Sequence, residues 1–442
     1  MTAAGRRRLG SVSLGAIVAA NMIGAGVFTT SGFALADLGS PSLVMLAWAV
    51  GGVLAILGAL CYGALAVRLS ESGGEYLFLS RTLHPSIGFL AGWVSIWAGF
   101  SGAIAIAAQA AQAYLAPLVP DGVPLDLIGS IAILTAGVVH TVGVSRGARL
   151  QNVVVALKLA LLLAFVAIGV GGLESHPVPA HETPSFGTFA MTLMWVSLSY
   201  SGWNAAVYIG GEARDPKRTL PRSMLFATLL VTALYLVLNA LFVHSAPVEE
   251  LAGRPDIAAV AARALGGTAL ESLVRVVLVV ALFTSISSMV MIGPRVIARM
   301  ADDGFLPRRL SFTGRVPAAA IWTQVVLAIG ILWVSGLREQ LTNLGWILSL
   351  FTALAVIGLL VLRRREGAER VPIPGYPFVP LLFLAGVLGL TGTMAFVNGR
   401  ELVPAAIVLV SGVILYILRR NRRRNRWRNS ASAPRVPEEH SD

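Results

Sequence analysis

The sequence predicts an all-α polytopic membrane protein, and three observations carry that expectation. Of the 442 residues, 56% are hydrophobic and only 13% charged, where a soluble domain carries about a quarter charged residues. Mean hydropathy is +0.77. The apolar runs are long and do not alternate, so they spell helices rather than barrel strands. Twelve such runs can be read, at roughly 11–36, 41–66, 86–115, 125–143, 149–172, 187–211, 221–245, 270–299, 317–336, 341–362, 378–397 and 401–418. The connections are short, and only the loop near 246–269 is long and amphipathic enough to suggest a surface helix.

Charge placement fixes the expected orientation. An even number of spans puts both termini on one side. If that side is the cytoplasm, 28 of the 34 Lys and Arg residues face it and five face outward, with Lys158 inside a span. That asymmetry is the positive-inside pattern. The net charge of +12 is therefore a topology signal, and nucleic-acid binding is not expected. Arg6–Arg8 precede an apolar run too long for a signal peptide. The basic tail from Arg419 lacks an apolar face, so disorder is expected there, with its first residues against anionic headgroups.

The first run is interrupted. Asn21–Phe28 reads NMIGAGVF, with two glycines mid-span. An unpaired backbone amide in hydrocarbon costs several kcal/mol. Such a break is tolerated where the freed backbone lines a cavity, and half-helix N-termini there attract anions. Close helix packing through small residues is the plainer alternative. A second interruption is expected in the sixth run, at Ser199-Tyr200-Ser201-Gly202, followed by Trp203 and Asn204. Spans one and six open two five-span halves, and matched interruptions there point to an inverted-repeat transporter site.

Lys158 lies nine residues past Arg149, or about 13–14 Å into the hydrocarbon. A charge at that depth is costly and marks a functional candidate. The eighth run carries a hydroxyl cluster, Thr284, Ser285, Ser287 and Ser288, able to face Lys158 or a cation; local helix bonding is the alternative. Around Asp215–Pro221, Pro216 is read as ending the sixth helix and Thr219 or Leu220 as capping the next. The lone Cys61 excludes an intrachain disulfide and a thiol metal site. No carboxylate pair, phosphate-cradling loop or metal-ligand spacing appears, so neither enzyme chemistry nor a cofactor is expected.

Asn21–Phe28, Arg68–Trp93, Ser199–Arg222 and Gly293–Pro307 together resemble, in order, the amino acid–polyamine–organocation superfamily. The likeness is greatest to its L-type amino acid transporter branch and the related sodium-independent bacterial transporters. The resemblance implies a five-plus-five inverted repeat of the LeuT-like fold (residues 11–172 and 187–362), with discontinuous helices one and six. Two further helices follow at 378–418, and alternating access is the implied mechanism. It implies that Gly24, Ala25 and Gly26 hold a substrate carboxylate, and that carbonyls near Ile23 and Ser199–Ser201 hold its ammonium. Leu198, Tyr200 and Trp203 complete the expected pocket. Lys158, near Ser285 or Ser288, is implied to stand where sodium sits in coupled relatives. Leu198 replaces a frequent aromatic gate, and Ser201 a frequent Gly.

A sodium-independent carrier of neutral amino acids in the cell membrane is therefore expected, working as exchanger, uniporter or proton-coupled carrier. No disulfide-linked accessory subunit is expected, because Cys61 lies inside a span. An amine, polyamine or cationic amino acid carrier is the alternative and calls for an acidic residue in the pocket. A nutrient sensor or a membrane enzyme is more remote.

Overall fold

The computed structural model describes residues 9–142, 147–171, 184–312, 317–397 and 399–431, with side chains except at 142–158 and 420–431. It is all-helical among these residues, apart from one isolated bridge between Leu9 and Ala213. Among the described residues, eight helices are long and apolar enough to cross a membrane, and four further helices, starting at Leu125, Gly147, Phe186 and Ala318, carry shorter apolar stretches. Each of the twelve expected runs contains helix among the described residues. Many large apolar side chains on the outer helices stay exposed, Phe396 at 93% and Val334 at 80%. Such a surface suits hydrocarbon rather than water.

The first span is two helices, α1 (Ser11–Met22) and α2 (Gly26–Leu38). Gly39 ends α2 with φ of 61°, the left-handed stop that glycine permits. Ser40 then caps α3 (Pro41–Arg68), its Oγ accepting from the Leu43 amide, with Pro41 in the first turn. A short helix α4 (Gly74–Thr82) leads into α5 (Pro85–Val94), which passes through a π-helical stretch, Ser95–Gly102, into α6 (Ala103–Leu115). Next come α7 (Leu125–Val142), α8 (Gly147–Val170) and α9 (Phe186–Ser199). The chain turns at 200–204, runs as a 3-10 segment over Ala205–Glu212, and enters α10 (Pro216–His244). The core lies where α1 and α3 pack along α10, and α6 along α12 (Ile257–Asp302).

Three expectations change. The next helix does not wait for Thr219: Asp215, at φ of 45°, is the N-cap of α10 and Pro216 takes its first turn. Proline suits that position because its missing N–H has no acceptor there anyway. The 246–269 stretch is not one separate surface helix but two helical pieces, amphipathic as expected, with Arg263 exposed. After the short α11 (Val248–Leu251) it enters α12 at Ile257, and Ile257–Ala259, Ala261 and Ala262 are buried. A kink at Gly266–Gly267 then redirects the chain, with φ of 70° at Gly267. Beyond α13 (Ala318–Val334), α14 (Leu337–Glu366) and α15 (Phe378–Val397), the last helix, α16 (Val403–Ala431), continues past Arg419. An Arg- and Asn-rich run can propagate an existing helix because arginine is a good helix former. Residues 432–442 lie outside the described residues.

Candidate substrate site at the paired helix breaks

The first break follows from local backbone bonding. The Ile23 amide donates to Ala19, and Gly24 turns back to the Met22 carbonyl at 2.8 Å. The ladder then fails. Among the described residues, the amides of Ala25, Gly26 and Val27 find no acceptor, and the ladder resumes with Phe28 donating to Ala25. Three bare N–H groups thus stand at the N-terminus of α2, the geometry that binds an anion.

The second break follows the end of α9. The Tyr200 amide donates to Val196 and Ser201 to Leu198. Gly202 then takes φ of 103°. A side chain there would be strained, and it would also lie 2.7 Å from the Asn21 carbonyl carbon. Only glycine lets the two interrupted chains cross so closely. Gly26 plays the reciprocal part, because a Cβ on it would come 2.7 Å from Ser199 Cα. Thr30 Oγ1 and Ser199 Oγ share a hydrogen bond at 2.8 Å. Tyr235 of α10 donates to the Met22 carbonyl and lies 3.3 Å from that of Ser199. One hydroxyl therefore bridges the two carbonyl ends.

A cavity opens between the breaks. Of the expected residues, Gly24, Ala25, Gly26, Leu198, Ser199 and Ser201 line it. Tyr200 does not; it is fully buried, donates to the Trp48 carbonyl and packs against Trp48 and Tyr235. Trp203 lines the adjoining cavity instead. Ile23 is buried with its carbonyl 3.4 Å from Ser285 Oγ. Ser288 is buried too. The Lys158 side chain lies outside the described residues; its helix, α8, packs against α12 and α1.

The sequence reading missed Asn21, Met22, Ala103, Ile106, Ala107, Met289 and Leu341, which complete the wall. Apart from Asn21 these are apolar residues within apolar spans, where hydropathy gives them no signal of their own. Among the described residues, the wall carries no charged side chain. The adjoining cavity shares Asn21, Ala103, Ser201 and Met289 with it and extends toward the termini, where it meets Glu75. Among the described residues, no group of His, Cys, Asp and Glu could hold a metal ion.

Both ends of the path are tied. On the side away from the termini, Gly32 lies against Arg254, and its carbonyl accepts from Gly253 at 2.7 Å. Arg275 there bonds Asp256, Glu271 and the Tyr114 carbonyl, and Tyr114 donates to Phe28 of α2. On the terminal side, Leu9 pairs with the chain at Glu212 and Arg214, and Glu212 pairs with Arg295 at 2.9 Å.

A multi-pass helical membrane protein with two facing helix breaks around an internal cavity has the architecture of a solute carrier. The family model for amino acid permeases matches residues 9–418, and the chain belongs to that family. Among its relatives, the serine/threonine exchanger SteT of Bacillus subtilis is 27% identical over 93% of this chain and 96% of its own length. The human large neutral amino acids transporter small subunit 2 is 27% identical over 93% of this chain and 80% of its own. The branched-chain amino acid permease BcaP of Lactococcus lactis subsp. cremoris is 25% identical over 92% of each. The protein is an amino acid transporter, not an enzyme.

Proposed function

We propose that the chain carries neutral L-amino acids across the cell membrane without sodium, by alternating access. It does so with twelve spans, an inverted five-plus-five repeat and both termini in the cytoplasm. One observation carries this reading: the unpaired amides of Ala25 and Gly26 stand at a cavity that has no charged side chain among the described residues, next to the carbonyl ends of two interrupted helices. Amides attract a carboxylate and carbonyls an ammonium. A zwitterion satisfies both, and the walls formed by Ala103, Ile106, Ala107 and Leu341 suit a neutral side chain. The relatives' names, covering serine, threonine, large neutral and branched-chain amino acids, support that substrate class. Among the described residues, this cavity's own wall offers no acid for a second ammonium, Glu75 lying only in the adjoining one, which disfavours an amine or polyamine.

Lys158 takes sodium's part in this account. Its helix packs beside α1 and α12, and Ser285 already reaches the Ile23 carbonyl. An ammonium there holds α8 to the first break and supplies a fixed positive charge. The test is uptake of labelled amino acids into liposomes holding the purified protein, with and without sodium, a pH gradient and internal substrate. Sodium-independent uptake of neutral amino acids is expected. Absence of flux for every amino acid, or strict sodium dependence, overturns the proposal.

A further inference from the structure

The terminal-side cavity contains an acid that the transport mechanism above does not use. Glu75 stands at the start of α4, between two spans, and is 3% exposed. Two glycines place it there. Gly73 and Gly74 have φ of 146° and 56°, and a Cβ on Gly74 would lie 2.7 Å from Tyr208 Cζ. The chain can turn inward at that point only without side chains. Glu75 Oε1 accepts from Tyr62 Oη at 2.7 Å and from Asn204 Nδ2 at 3.1 Å. Tyr208 reaches the same carboxyl.

No cation offsets this acid among the described residues. Its neighbours from α3 and the 205–212 segment are the neutral Tyr62 and Tyr208, with the Cys61 thiol beside Tyr62. The charged groups on the packed elements either pair elsewhere or form no ion pair with Glu75 among the described residues. From α14, Arg365 bonds the Thr82 carbonyl, Arg363 the Val371 carbonyl, and Glu366 pairs with Arg68; among the described residues Arg364 forms no ion pair. From the end of α12, Arg299 pairs with Asp303, which accepts from Tyr76. Glu212 pairs with Arg295, and His84, at the start of α5, bonds Ser86. Among the described residues, Arg81 of α4 itself forms no ion pair. Burial pushes the Glu75 carboxyl above the usual carboxylate range, against the opposing pull of the bonds from Tyr62, Asn204 and Tyr208. A buried, uncompensated carboxylate is costly, and taking up a proton removes that cost.

We propose that Glu75 is a proton-binding site at the cytoplasmic end of the substrate path, protonated while that end is closed and ionised when water enters. The inference rests on the transport reading above. The link to transport is Asn204, which follows directly on the second break. Opening the path between that break and α4 separates Asn204 from Glu75 and admits water, and the carboxyl releases its proton to the cytoplasm. Closing again requires the proton back. Raising the pH therefore slows each return to the closed state, and exchange slows with it.

Two measurements on the full chain test this. In infrared difference spectra of the purified protein, the wild type should show a protonated-carboxyl band above the usual carboxylate range of pH, absent from Glu75→Gln. In proteoliposomes at equal pH on both sides, exchange of labelled L-serine or L-leucine should slow at least about fivefold between about pH 6 and about pH 8.5, as for a single required proton. Glu75→Gln, which is neutral and keeps an acceptor oxygen, should exchange with a flat profile. If Glu75→Gln does not fold, Tyr62→Phe serves instead: losing a donor to the carboxylate moves the band's titration to higher pH. A wild-type carboxyl that is fully ionised at neutral pH, or a Glu75→Gln profile matching the wild type, overturns the proposal. A wild type that shows the band but moves no amino acid overturns the transport reading and leaves the proton site standing.

Discussion

At the scale of single residues, the glycines of the breaks have separable jobs. Gly26 is small because Ser199 stands where its Cβ would be, whereas a Cβ on Gly24 meets only the Met22 carbonyl at 3.9 Å. Gly26→Ala should therefore force the breaks apart. Uptake in proteoliposomes should fall at least about tenfold, the equivalent of about 1.4 kcal/mol. Gly24→Ala should leave the melting temperature close to wild type, since a non-clashing change costs within about 0.5 kcal/mol. Equal loss of folding in the two variants would contradict the assignment. Gly202 has both a positive φ and a crowded Cβ position, so Gly202→Ala should cost more than either criterion alone, about 1–3 kcal/mol from strain, read as a lowered melting temperature.

At the scale of elements, the two interrupted spans work as one unit because α10 ties them. Tyr235 bonds the Met22 carbonyl and approaches that of Ser199, while its neighbour Asn239 accepts from Ser31 of α2. Tyr235→Phe leaves those carbonyls without this donor inside the protein, a loss of about 1–3 kcal/mol. We expect reduced turnover with the fold intact, measured as exchange rate against thermal stability. Much of this level was legible in the sequence. Gly-Ala-Gly in an apolar run can only be a break or a close contact, and here it is both. The inward turn of Tyr200 was not legible, since side-chain direction past a helix end depends on a turn that spacing does not encode. Glu75 was hidden for a related reason. Hydropathy assigns Ser70–Gly74 to a loop, and only the packing of α4 against the 205–212 segment takes the acid out of water.

At the scale of the whole molecule, ties join elements on both faces, and the proposed alternating access requires them to open in turn. Arg275, Asp256, Glu271 and Tyr114 join α12 to the 246–256 stretch and to α2 on one face. Leu9, Glu212 and Arg295 join the N-terminal segment to the end of the sixth span on the other. Glu75 adds a pH dependence of known sign. Its folded-state pKa is raised by burial, so its contribution to stability is present below the unfolded pKa. That contribution is lost as pH rises through the folded one. The melting temperature of the wild type should thus fall with rising pH relative to Glu75→Gln, and parallel curves would contradict a raised pKa. Lys158→Ala should abolish coupled turnover in proteoliposomes while the protein still folds, and unchanged binding and transport would remove Lys158 from the mechanism. The net charge of +12 and the number of apolar runs were readable at this scale because both are additive along the chain. The ties were not, since each joins residues far apart in sequence.

The account stands on the bare backbone ends of the two breaks gripping both charges of one small zwitterion. Competition against binding of a labelled neutral amino acid by its own truncated analogues tests this most directly, using one analogue without the carboxylate and one without the ammonium. Each truncation leaves one set of backbone groups unpaired, and each analogue should compete at least about tenfold more weakly than the parent, as expected for losing a charge-assisted hydrogen bond. An amine or a carboxylic acid that competes as well as the intact amino acid would contradict the account.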